Sequence, residues 1–130
     1  LRQPVRRILL THAHGDHVGG LDRLHTLYPE TEVMISARDA RFLAGDRSLG
    51  PDEPQAKLRG SYITTQTRPT RLLADGDLVG SLRVVASPGH TPGHVAFFNL
   101  RDGTLLAGDA FQTQGGLAVA GQLNPLFPLP

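Results

Sequence analysis

Three of the chain's six histidines fall within six positions, in Thr11-His12-Ala13-His14-Gly15-Asp16-His17, with an aspartate among them. The stretch just ahead, residues 5–10, holds Val5, Ile8, Leu9 and Leu10 around two arginines and follows Pro4. Its length and branching are those of a strand entering a core, which would deliver Thr11 and His12 at its end. His12 and His14, two apart, can point the same way, and Gly15 lets the chain turn sharply enough to return Asp16 and His17 towards the same point. Four side-chain donors can then surround one small volume. Imidazole nitrogen and carboxylate oxygen suit zinc, iron and manganese, and an open coordination position would hold a reactive water. The blander alternative is a polar turn of exposed histidines, or a helix start capped by Asp16. The H-x-H-x-D-H order weighs against it.

Cysteine is absent, so disulfides, thiolate ligands and a cysteine nucleophile are excluded, and any metal must be held by nitrogen and oxygen. At 130 residues the chain is one domain or a piece of one. Thirteen basic against twelve acidic residues, a net charge of +1, give no field that would draw it onto phosphate backbones or acidic membranes. No nucleic-acid partner is expected. No stretch approaches the roughly 20 apolar residues that span a bilayer, so no membrane association and a cytoplasmic location are expected. Nothing in the composition specifies an oligomeric state. The chain opens on Leu1 and ends in Asn124-Pro125-Leu126-Phe127-Pro128-Leu129-Pro130, which reads as the middle of a loop; a fragment is expected.

Beyond Gly15, Val18, Leu21, Leu24 and Leu27 recur at three-residue spacing until Pro29, the stripe of a short helix starting near Asp16. Residues 32–36 read as a second strand, and residues 37–44 as a helix ended by Gly45. Residues 46–70 lack periodicity and carry three X-Pro breaks, which predicts a surface insertion with a helical turn near residues 55–58. Short strands follow over residues 71–73, 78–79, 82–86, 95–99 and 104–107, the last pair joined through Arg101-Asp102-Gly103, a hairpin signal.

A second cluster, Ser87-Pro88-Gly89-His90-Thr91-Pro92-Gly93-His94, lies directly after the strand at 82–86. His90, in a proline-stiffened loop, is a candidate ligand; His94, at the start of a strand, suits a supporting or structural role better than ligation. Asp109 follows Thr104-Leu105-Leu106-Ala107-Gly108 and stands at the tip of an apolar strand, where a carboxylate with two oxygens can bridge two cations. Turn formation is its alternative role. Phe111, Gln112 and Gln114 follow as pocket-lining candidates, with ordinary loop packing equally open.

In order and approximate separation, His12-Ala13-His14-Gly15-Asp16-His17, Pro88-Gly89-His90-Thr91-Pro92-Gly93-His94 and Leu106-Ala107-Gly108-Asp109 resemble the first three metal motifs of the metallo-β-lactamase superfamily of metallohydrolases. Leu73-Ala74-Asp75-Gly76-Asp77 is similar to the family's sheet hairpin. The resemblance implies an α/β (α+β) fold, an αββα sandwich of which residues 1–130 form a partial domain, about half. It implies His12, His14 and His90 on one metal, Asp16 and His17 on a second, and Asp109 bridging. The cofactor implied is Zn2+, two per chain, with iron or manganese as alternatives. The nucleophile implied is metal-bound hydroxide, with Asp16 orienting the water or accepting its proton. Two departures stand out. Family members usually place several strands before the first motif, and they supply a last histidine well after the third. Here all six histidines are used by position 94, so that ligand is absent, replaced by water, or supplied by a continuation.

His14 stands where flavodiiron-type relatives usually carry glutamate, which favours hydrolysis over reduction of oxygen or nitric oxide. Asp109 stands where many zinc β-lactamases place cysteine, which weakens an antibiotic-cleaving reading. The resemblance therefore implies a hydrolase of a small-molecule substrate, an ester, thioester or lactone, near the bacterial glyoxalase II and lactonase-like branch. The alternatives are a mononuclear iron enzyme like the sulfur dioxygenases, or a truncated metal-binding remnant without turnover. A ribonuclease of the same fold would profit from a basic surface, and twelve arginines spread from Arg2 to Arg101 read instead as a solvated face.

Overall fold

The computed structural model describes residues 3–112 and 118–119. The proposed lining residue Gln114 and the loop expected over residues 124–130 lie outside the described residues. Strand β1 (Arg7–Leu9) leads through α1 (Gly15–Val18) and α2 (Leu21–Leu27) to β2 (Glu32–Ser36), then α3 (Ala37–Leu43) and β3 (Arg71–Leu73). These strands form a parallel sheet in the order β1-β2-β3, with Ile8 opposite Val33 and Ile35 opposite Leu72. β2 is apolar without alternation because both its faces are covered. Val33 and Ile35 join Val18, Leu21, Phe42 and Leu43 beneath the helices, while Met34 points to the other side. Burying each such side chain contributes about 1.5–3 kcal/mol.

On that other side lies an antiparallel sheet, β4 (Leu78–Val79), β5 (Leu82–Ala86), β6 (Val95–Asn99) and β7 (Leu105–Leu106), in chain order. Val79, Val84, Val95 and Phe97 pack with Met34 and Leu73 in a second core. The result is three layers, helices on a parallel sheet on an antiparallel sheet. The outer face of the antiparallel sheet carries exposed Leu78, Val85 and Leu105, the uncovered face that a partial sandwich implies. β8 (Phe111–Gln112) pairs antiparallel with β9 (Ala118–Val119).

Three expectations change. The stripe from Val18 to Leu27 is two helices, because the chain breaks at Gly19-Gly20; Val18 and Leu21 are buried and Leu27 is exposed. Gly15 turns nothing with a positive φ: it opens α1, and its small size matters because an added Cβ would sit 3.2 Å from Ser61 Oγ. Residues 46–70, expected as a surface insertion, are exposed at many positions along their length, with Thr65 and Thr67 buried, and in the first half Glu53 pairs with Arg38 and accepts from the Gly50 N–H. The helical turn expected near 55–58 is not formed. Leu58, Tyr62 and Ile63 pack against the first core, and the Thr65 N–H donates to the Leu43 carbonyl at 3.0 Å.

Candidate metal centre

The two histidine loops meet at the seam between the sheets. The Leu10 N–H donates to the Met34 carbonyl, and the Thr11 carbonyl accepts from the Val95 N–H at 2.9 Å, so the end of β1 is stitched to β2 on one side and to β6 on the other. His12 is completely buried there, with Nδ1 3.0 Å from Thr11 Oγ1. His14 is held by its Nε2, 3.2 Å from the Arg59 carbonyl. A carbonyl accepts only, so Nε2 carries the proton and Nδ1 presents a lone pair. That Nδ1 faces His90 Nε2 at 2.9 Å.

Ligand atoms of His12, His14 and His90 all lie within 4.8 Å of one another, as do those of His12, His17 and Asp109. Asp109 Oδ2, of the second group, lies near members of both, 3.1 Å from His90 Nε2, 3.3 Å from His17 Nε2 and 3.8 Å from His12 Nε2. Bonds of about 2.0–2.1 Å to a tetrahedral zinc place neighbouring ligand atoms roughly 3.3 Å apart, and these separations bracket that value. His12 Nε2 is buried without a hydrogen-bond partner among the described residues. An orphaned buried polar atom is costly unless something occupies the space it faces, and with the His12 proton on Nδ1 a cation would do so. The donor set therefore fits a metal. Asp16 is placed differently: its side chain is 77% exposed and Oδ2 lies 3.6 Å from His17 Nε2, at the rim and outside both groups. His94 has both ring nitrogens engaged. Its Nε2 accepts the Asp109 N–H at 3.1 Å, so its proton sits on Nδ1, which donates to Ser87 Oγ at 2.8 Å. It holds Asp109 rather than facing the donor cluster.

Burial is the main reason these imidazoles resist protonation. It pushes His12 down to about 2, helped by the neighbouring His17, and His94 down to about 4, helped by His90. His14 and His90 are lowered by the same cause. Neutral imidazole is the form that binds metal, and burial favours that form in His12, His14 and His90. In the metal-free protein the unfolded chain takes up protons near 6.5 and the folded chain does not, so stability is lost as pH falls from about 6.5. His94 alone contributes roughly 3 kcal/mol to this loss by about pH 4. Burial also raises the Asp39 carboxyl, which acts in the opposite sense, one group against four. Urea midpoints of chelated protein should fall steadily from pH 7 to 4; a flat profile would contradict the burial of these rings.

Two supports have no signature in the sequence. Asp39 accepts from both histidine loops at once: the Ala13 N–H at 3.0 Å, Thr91 Oγ1 at 2.7 Å and the Gly93 N–H at 2.8 Å. An acid in the first turn of a helix ordinarily complements the helix dipole, so nothing marks it as buried. The second is residues 59–62: beyond the Arg59 carbonyl, Ser61 O accepts the Gly15 N–H at 2.7 Å, Tyr62 bridges to His14, and the Tyr62 ring packs edge-on against the imidazole. The aperiodic segment is a brace for His14.

The family model for the metallo-beta-lactamase superfamily matches residues 1–129. The chain is 53% identical to the uncharacterized protein YobT of Bacillus subtilis (strain 168), over all of this chain and 56% of that protein. It is 35% identical to a hydroxyacylglutathione hydrolase of Psychromonas ingrahamii, over 95% of this chain and 40% of the enzyme. Among solved structures it resembles TTHA1623 in a di-iron-bound form, with a TM-score of 0.67 and 29% identity, covering 94% of this chain and 57% of that one. The chain spans about half the length of the curated relatives it matches. No helix among the described residues is long and apolar enough to cross a membrane. Fold, donor cluster and sequence kinship agree: this chain belongs to the metallo-beta-lactamase superfamily.

Proposed function

We propose that the protein is a metal-dependent hydrolase of a small ester, thioester or lactone, working on two metal ions in the cytoplasm. The observation that carries this reading is the pair of donor groups that share His12, with Asp109 Oδ2 of the second group also 3.1 Å from His90 Nε2 of the first. A divalent pair, when bound, would supply Lewis acidity and a water whose pKa is lowered to about 7. The chain's own residues do the rest. His12, His14 and His90 would hold one ion, and His17 with Asp109 would hold the other. His94 and Ser87 keep the Asp109 backbone in place. Asp16, at the open rim, orients the water or takes its proton. Kinship with a hydroxyacylglutathione hydrolase, an enzyme named for a thioester, supports the substrate class. Zinc is the expected metal, and the di-iron form of TTHA1623 makes iron the one to test against it.

Metal content and turnover on a panel of thioesters, esters and lactones test this together. Two zinc per chain, with hydrolysis lost on chelation and restored by zinc, is the expected result. One iron with oxygen consumption would replace it with an oxidative enzyme, and metal uptake without turnover on any substrate would leave a binding remnant.

A further inference from the structure

We propose that Asp39 is a positioning residue that sets the distance between the two histidine loops, and hence the geometry at which His12, His14 and His90 hold a cation. The inference rests on the metal-centre reading above. Asp39 is 0% exposed, in the first turn of α3. Its three hydrogen-bond donors come from both loops: Ala13 sits between His12 and His14, and Thr91 and Gly93 sit between His90 and His94. One short carboxylate thus touches the middle of each histidine pair. Oδ2 takes both the Ala13 N–H and the Thr91 hydroxyl, so a single oxygen measures the gap between the loops.

The surroundings are built for this contact. Ser36 Oγ accepts the Asp39 N–H at 3.2 Å and fixes the start of α3 at the end of the central strand. Position 93 is glycine where a Cβ would come within 2.5 Å of Ser36 Oγ and 2.6 Å of Asp39 Oδ1. The close approach of the second loop to Asp39 therefore requires that glycine. Filling the same volume with an apolar side chain would serve packing at less desolvation cost. A buried carboxylate whose hydrogen-bond donors all belong to the metal-binding loops has a different use: it holds the rings and adds negative charge beneath a cation site. Outer-shell partners of this kind commonly change metal affinity by about 10–100-fold.

Cobalt(II) titration of the full chain, followed by its ligand-field spectrum, provides the test. Asp39→Asn keeps the shape but sets an amide against three donors; Thr91→Val removes only the hydroxyl and is the variant least able to disturb folding. Both are first checked for native circular dichroism. The expected result is cobalt affinity about 10–100-fold weaker in Asp39→Asn, with altered band intensity, and a smaller change of the same kind in Thr91→Val. If folded variants bind cobalt with wild-type affinity and spectrum while melting earlier, Asp39 is merely structural and the proposal falls. If Asp39→Asn does not fold, Thr91→Val decides alone on the same criteria. Should the wild-type chain itself take up no cobalt, the metal centre fails and the positioning role with it, an outcome distinct from failure in the variants only.

Discussion

Replacing His12 by alanine is expected to empty both halves of the centre, whereas His94→Ala leaves metal stoichiometry unchanged. His12 is the one residue common to the two donor groups, and its Nε2 is buried with no hydrogen-bond partner among the described residues. On the proposed arrangement its loss would remove a ligand from the first metal and a donor from beside the second. Affinity should therefore fall by more than the about 10–100-fold typical of outer-shell changes, with hydrolysis falling in step. His94 contacts the Asp109 N–H and Ser87 Oγ through its two nitrogens, so its loss loosens Asp109 without subtracting a ligand. Elemental analysis after gel filtration measures both. Equal metal loss in the two variants would mean that His94 is itself a ligand, and full occupancy in His12→Ala would place the metal elsewhere.

Gly60→Ala is the second large effect expected. At φ +89° any side chain is strained, and here an added Cβ would also lie 2.5 Å from His14 Nε2. The imidazole cannot yield without breaking its bond to the Arg59 carbonyl and moving Nδ1 away from His90. A displacement of about 1 Å in a reacting geometry can cost about 100-fold in rate, and that is the loss expected. Gly76→Ala supplies the control. Its φ is +83° and nothing lies within 4 Å of the new Cβ, so it carries the backbone penalty of roughly 1–2 kcal/mol and no effect on turnover. Equal rates in the two variants would show that His14 has room to move.

What could be read directly from the sequence was whatever repeats or contrasts locally. β2 and β5 have the expected bounds because each is a short apolar run closed by turn residues, and the hairpin at Arg101-Asp102-Gly103 follows from a glycine at φ +76°. His12, His14, His17, His90 and Asp109 do converge, since the motif spacing sets them at adjacent strand ends. The break between α1 and α2 was hidden because Val18, Leu21, Leu24 and Leu27 keep helical spacing across Gly19-Gly20. Asp39 and the brace at residues 59–62 were invisible for a different reason. Their partners are 26 to 54 residues away for Asp39 and 45 for Arg59, and no local pattern encodes a contact made only after both sheets have docked.

The candidate ligands hang from different layers: His12, His14 and His17 follow β1 of the parallel sheet, while His90 precedes β6 and Asp109 follows β7 of the antiparallel one. An ion held across that join would act as a keystone. By mass action, free metal at one hundred times its dissociation constant adds about 2.7 kcal/mol to the folding free energy. A change of that size alters how much of a protein escapes cellular proteases, so on the proposed reading metal scarcity would shorten this protein's lifetime as well.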